Sequence, residues 1–83
     1  MMDMSIGVAV KERILELCKE RGITINKLGT ISGVTQSTIN NIVSGRNNST
    51  TIATIKKLCD GLDISVVEFF NADIFGNLEQ EIK

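Results

Sequence analysis

The chain has 83 residues, 42% of them hydrophobic and 23% charged, with a net charge of -1. That length supports one core and leaves no comfortable room for a second, and the balance of apolar to charged residues excludes a disordered chain. Histidine is absent, which removes the commonest general base and metal ligand, and no stretch approaches the roughly 18 apolar residues of a membrane span or has the layout of a signal segment.

Cys18 and Cys59 lie far apart in apolar helical contexts, without the close partner that a zinc knuckle or redox motif needs. They are expected to be buried thiols of a reducing compartment, which places the protein in the cytoplasm. The charge is unevenly spread. From Val8 to Leu62 there are eight basic residues against four acidic ones, a net of +4, and the acids concentrate in the terminal segments.

The first helix is predicted over 6–21, capped by Ser5, with Ile6, Val10, Ile14, Leu17 and Cys18 recurring at spacings of three and four until Gly22 ends the pattern. Thr24 caps a short second helix whose apolar side carries Ile25, Leu28 and Ile31, and Gly33 closes it as a left-handed residue. Thr35 caps the third helix, and Val34 just before it packs on Ile39 as a hydrophobic staple. Ile39, Ile42 and Val43 form one stripe of this helix, which Gly45 ends. At about 100° per residue, Ser37, Asn40, Asn41 and Ser44 fall on the opposite side, with Gln36 lateral on the first turn.

Arg46 to Thr50 is a polar loop. Thr50 or Thr51 caps a fourth helix that runs to about Gly61, with Ile52, Ile55, Leu58, Cys59 and Leu62 on its core face. A fifth short helix starts from Ser65 and turns Val66, Phe69 and Phe70 inward. The expected fold is therefore all-α, a compact bundle of five helices over 6–70. The tail, 71–83, places Ile74, Phe75, Leu78 and Ile82 at helical spacings; it covers the domain's own surface or pairs subunits across a two-fold axis.

Two short helices joined by a glycine corner define a helix-turn-helix, whose second helix enters the major groove of DNA by its N-terminal residues. Those residues should be polar. Here they are Gln36, Ser37, Asn40 and Asn41, amides and hydroxyls suited to base edges, Gln and Asn most naturally to adenine. A solvated helix face would more usually carry Glu and Lys, which favour the helix more.

The run from Gly22 through Leu28 and from Ser32 to Gly45 resembles the phage-repressor and Cro family of helix-turn-helix domains, also called the Xre family. The similarity extends over about Lys11 to Phe70. It implies a five-helix lambda-repressor-like domain acting as a homodimer on a near-palindromic double-stranded operator, with base contacts at positions matching Gln36, Ser37 and Asn41. Where the family often has Gln at the start of helix two, this chain has Ile25, so Asn26 or Lys27 is left to meet a phosphate. Where the family often has Glu, Val43 stands here, with Cys18 as its expected neighbour, so an apolar contact replaces an ion pair.

The expected phosphate contacts are Asn26, Lys27, Thr35, Arg46, Asn47 and Asn48, with Arg46 the strongest. The leading reading is a sequence-specific transcriptional regulator, a repressor in preference to an activator. The alternative is an antitoxin-like protein-interaction module on the same fold. No enzyme is expected, because histidine, clustered carboxylates and a phosphate-cradling glycine loop are all missing. Nor does the sequence imply a cofactor, metal, membrane or small-molecule ligand.

Overall fold

The computed structural model describes residues 4–44 and 50–82. Five α-helices follow in order: α1 Ile6–Arg21, α2 Ile25–Ser32, α3 Gln36–Val43, α4 Ile52–Leu62 and α5 Val66–Phe70, and then a short 3-10 turn Asp73–Gly76. Each helix begins by the same device. The hydroxyls of Ser5, Thr24, Thr35, Thr51 and Ser65, all in extended backbone, accept from the N–H groups of Val8, Lys27, Thr38, Thr54 and Glu68. Each hydroxyl satisfies an amide that the helix cannot pair internally. Thr51, not Thr50, caps α4.

Three helices also end alike. Gly22 (φ 63°), Gly33 (φ 68°) and Asp63 (φ 58°) are left-handed. The next amide then reaches back over the last turn: Ile23 to the Cys18 carbonyl, Val34 to that of Gly29 and Ile64 to that of Cys59, each at 3.0 Å. The residue after each left-handed position is apolar and joins the core, which pins the chain as it leaves the helix.

Val10, Ile14, Leu17 and Cys18 of α1 meet Leu28 of α2, Ile39 and Ile42 of α3, Ile55, Leu58, Cys59 and Leu62 of α4, and Phe69 of α5 in one core. Cys18 and Ile39 belong to it, and Val34 and Val43 are partly buried against it. Two expected core residues lie outside it: Ile31, near the end of α2, is 42% exposed and Ile52, the first residue of α4, is 80% exposed.

Gly61 is the penultimate residue of α4 and packs against Ser32 of α2. A Cβ there would stand 2.1 Å from Ser32 Oγ and 3.1 Å from its Cα, so only glycine lets the two helices pack this closely. Among the described residues no helix is long and apolar enough to cross a membrane.

The tail lies against the chain's own body. The amide of Glu79 donates to the Met4 carbonyl at 3.0 Å, and Met4 pairs with Leu78 in an isolated parallel bridge. Phe75 brings its ring within 4.9 Å of Phe70 and 6.2 Å of Phe69, so three aromatic rings close the end of the core. Ile82 stays exposed.

Candidate nucleic-acid interface

The corner between α2 and α3 is short and rigid. Gly33 turns the chain, Val34 is held by the Gly29 carbonyl and the core, and the Thr35 hydroxyl receives the Thr38 amide at 3.2 Å. Gly29 sits beneath this corner. A Cβ there would meet the Val34 carbonyl oxygen at 3.2 Å and Ile39 Cγ2 at 3.5 Å, so the corner approaches α2 closely.

With Ile39 and Ile42 buried, the other side of α3 faces out. Ser37, Asn40, Asn41 and Ser44 are exposed on the side that the 3.6-residue period assigns them, and Gln36, lateral on the first turn, is exposed as well. The ridge carries no formal charge. It is also ordered by its own hydrogen bonds. Gln36 Nε2 donates to Asn26 Oδ1 at 2.6 Å and to Asn40 Oδ1 at 3.1 Å, linking α2 to the first turn of α3.

Asn26 and Lys27 are exposed on the first turn of α2 and Thr35 at the corner, so three of the six residues expected to meet phosphate border the ridge on one side. The Asn26 side-chain oxygen accepts from Gln36 Nε2, and its side-chain N–H groups have no partner among the described residues. The Thr35 hydroxyl donates to Thr38 Oγ1 at 2.9 Å while accepting the capping amide, so its proton is already committed. Lys27 has no ion-pair partner among the described residues. Arg46, Asn47 and Asn48, together with Gly45 as the end of α3, lie outside the described residues.

The bases counted in the positive central window are not all available. Lys11 pairs with Glu12, Arg13 with Glu16 and Lys56 with Asp60. The Asp60 carboxylate holds the Lys56 ammonium above its ordinary range. Arg13 is only 9% exposed. Its Nε donates to the Phe69 carbonyl at 2.7 Å and its Nη2 to the Glu68 carbonyl at 2.9 Å, so it serves the fold. Sequence reasoning missed this role, and also the Asn26–Gln36 bond. A basic residue one position before Ile14 on the core side of α1, and two amides facing each other across a glycine corner, were the available signals.

A surface groove of about 750 Å³ runs between α1 and the tail and shares no residue with the ridge. Among the described residues no cluster of three potential metal ligands occurs.

A glycine-cornered helix pair presenting an uncharged polar ridge defines a helix-turn-helix protein. The family model described as Helix-turn-helix matches residues 14–69. The chain therefore belongs to the helix-turn-helix family, in its Xre/Cro-like form. It is 42% identical over 53 residues to the HTH-type transcriptional repressor RghR of Bacillus subtilis (strain 168), a match covering 64% of this chain and 39% of that repressor. The chain thus spans well under half the length of that relative. Among solved structures it superposes on the prophage Lp1 protein 11 with a TM-score of 0.80 at 37% identity, covering 90% of this chain and 99% of the other. It also superposes on a point mutant of the restriction-modification controller protein C.Esp1396I, with a TM-score of 0.73 at 26% identity, over 83% and 86% of the two chains.

Proposed function

We propose that this protein is a sequence-specific, non-catalytic repressor that binds a near-palindromic DNA operator as a homodimer, laying α3 in the major groove. One observation carries the reading: Gln36, Ser37, Asn40 and Asn41 stand exposed on the outer side of a helix whose inner side is locked into the core. Such side chains discriminate base edges, and a fixed helix brings them to the groove without the loss of conformational freedom that a loop would incur.

Positioning on the duplex falls to Asn26 and Lys27 on α2 and to Arg46, Asn47 and Asn48, which follow α3 in the sequence. Three bases of the central window are spent in ion pairs, so each subunit neutralises few phosphates. Two half-sites would then be needed for tight binding. Ile52 and Val67, 80% and 79% exposed, are aliphatic side chains that the single chain leaves uncovered, and Ile52 borders an apolar depression of about 350 Å³ with Ile6, Val10, Ile55 and Phe70. A second copy of the chain would cover them. The repressor sense rests on the likeness to RghR.

Selection of bound sites from a random duplex pool tests the whole reading. The expected result is an inverted repeat with half-site centres about 34 Å apart, one helical turn. Lys27→Ala should weaken every duplex alike and reduce the slope of log affinity against log salt by about 0.9. A pool with no enrichment, or retention of no duplex even at low salt, would overturn the proposal.

A further inference from the structure

Gln36 is the residue best placed to meet a base, and its hydrogen-bonding capacity is already half used. A glutamine amide has two N–H donors and one carbonyl acceptor with two lone pairs. Both donors are committed: one to Asn26 Oδ1 at 2.6 Å, the other to Asn40 Oδ1 at 3.1 Å. Among the described residues Gln36 Oε1 has no partner. The same bonds orient the neighbours. Because Asn26 and Asn40 accept from Gln36 through Oδ1, the Nδ2 donors of each are left over for other partners.

This arrangement is incompatible with the familiar pairing of a glutamine with adenine, which needs an N–H for N7 as well as an oxygen for the N6 amino group. What the ridge offers is split between two side chains. Gln36 contributes an acceptor, and Asn40, one helical turn further on, contributes a donor.

We infer that the Asn26–Gln36–Asn40 amide network makes Gln36 an acceptor-only contact, selecting a base with an exocyclic amino group in the major groove, adenine or cytosine, while Asn40 donates to N7, O6 or O4 of a neighbouring base. The inference rests on the proposed DNA-binding function and refines it. Breaking two short intramolecular bonds to free an N–H would forfeit what the network contributes, so the protein is expected to keep it on binding. The turned-around network, in which both asparagines donate to Gln36 Oε1, would present N–H groups instead and select guanine or thymine.

The test uses duplexes of the site recovered by pool selection, at the base pair whose preference Gln36→Ala abolishes. Adenine and cytosine should be accepted there about equally. Replacing that adenine by 7-deazaadenine should change affinity less than about twofold, whereas purine lacking the 6-amino group should bind roughly tenfold more weakly. The Asn26→Ala/Asn40→Ala double variant, both changes being on the surface, should fold normally by circular dichroism. It frees the Gln36 N–H groups, and sensitivity to 7-deazaadenine should then appear.

Guanine or thymine at that position would overturn the inference and leave the DNA-binding function standing. So would wild-type sensitivity to 7-deazaadenine, a double variant as insensitive as the wild type, or a Gln36→Ala protein with unaltered preferences. Failure to bind any duplex would overturn the function, and the inference with it.

Discussion

The Nε of Arg13 on α1 donates to the carbonyl oxygen of Phe69, 56 residues later, at 2.7 Å. Its Nη2 reaches the neighbouring Glu68 carbonyl at 2.9 Å, and its Nη1 pairs with Glu16. One guanidinium thus closes the C-terminal end of α5, a helix of five residues that cannot satisfy its own last carbonyls. The position of Phe69, and through it the floor of the core beneath α1, depends on a fork of donors that only arginine supplies.

Arg13→Met keeps the apolar stem and removes the fork. It is expected to destabilise the fold by about 2 to 4 kcal/mol, because two charge-assisted bonds are lost and the Phe69 carbonyl is left buried without a partner. Arg13→Lys should recover less than half, since an ammonium lacks the rigid, spaced fork that meets the two carbonyls and Glu16 together. Urea unfolding of the three proteins checks this. A loss under about 0.5 kcal/mol for Arg13→Met would mean that the clasp does not contribute.

The meeting of Ser32 and Gly61 leads to a second expectation. Gly61→Ala places a methyl group where Ser32 Oγ now lies and leaves only 3.1 Å to Ser32 Cα, so α2 and α4 must part. Overpacking of this kind costs about 1 to 3 kcal/mol. Ser32→Gly in the same chain should restore part of it. Ser32→Ala alone should be neutral or mildly stabilising, because Ser32 Oγ is buried with no hydrogen-bond partner among the described residues. Thermal unfolding distinguishes these outcomes. Equal loss with and without the Ser32 change would locate the effect of Gly61 elsewhere.

Helix starts were legible in the sequence because a Ser or Thr hydroxyl before an apolar-periodic run has one efficient use, and Ser5, Thr24, Thr35 and Ser65 all serve it. The left-handed ends at Gly22 and Gly33 were legible for the same kind of reason. The end of α4 near Gly61 was legible to within one residue, but the purpose of that glycine was not, because glycine both turns a chain and admits a close neighbour, and only the position of α2 decides between them. Asp63 then supplies the left-handed residue, a conformation that Asp tolerates better than most. Periodicity placed Ile31 and Ile52 on core faces, yet both are exposed, because a local period says nothing of how far the core extends along a helix. The polar ridge of α3 was legible from its composition. The Asn26–Gln36 bond was not, because it depends on the distance between two helices, which no local pattern encodes.

Phe75 joins the tail to the body through its contacts with Phe69 and Phe70. Phe75→Ala is expected to cost about 1 to 3 kcal/mol, below the value for a fully buried ring because this one is half-buried. Truncation after Asn71 should cost at least as much, as it also removes the Met4–Leu78 pairing. Sedimentation of the two variants at matched concentration separates stability from assembly. If the tail only covers its own domain, both retain the subunit composition of the full chain; monomers on truncation from a dimeric parent would give the tail an intersubunit role.

Cys18 and Cys59 report on the core from within. Burial pushes both thiols above their ordinary value of 9.0, opposed by Arg21 near Cys18 and mainly by Lys56 near Cys59. In the unfolded chain each ionises near that ordinary value, while the native state holds its proton to higher pH. The thiols therefore leave stability unchanged through neutral pH and erode it as pH climbs past about 9, by at most about 1.4 kcal/mol per pH unit for each. The erosion stops once the folded protein also ionises. Cys18→Ala/Cys59→Ala should be less stable at neutral pH, by the cost of two small cavities, yet should lack this part of the alkaline decline. Denaturant titrations at neutral and alkaline pH measure the difference directly. Parallel declines in the two proteins would show that the thiols ionise as readily folded as unfolded, and that the core around them admits water.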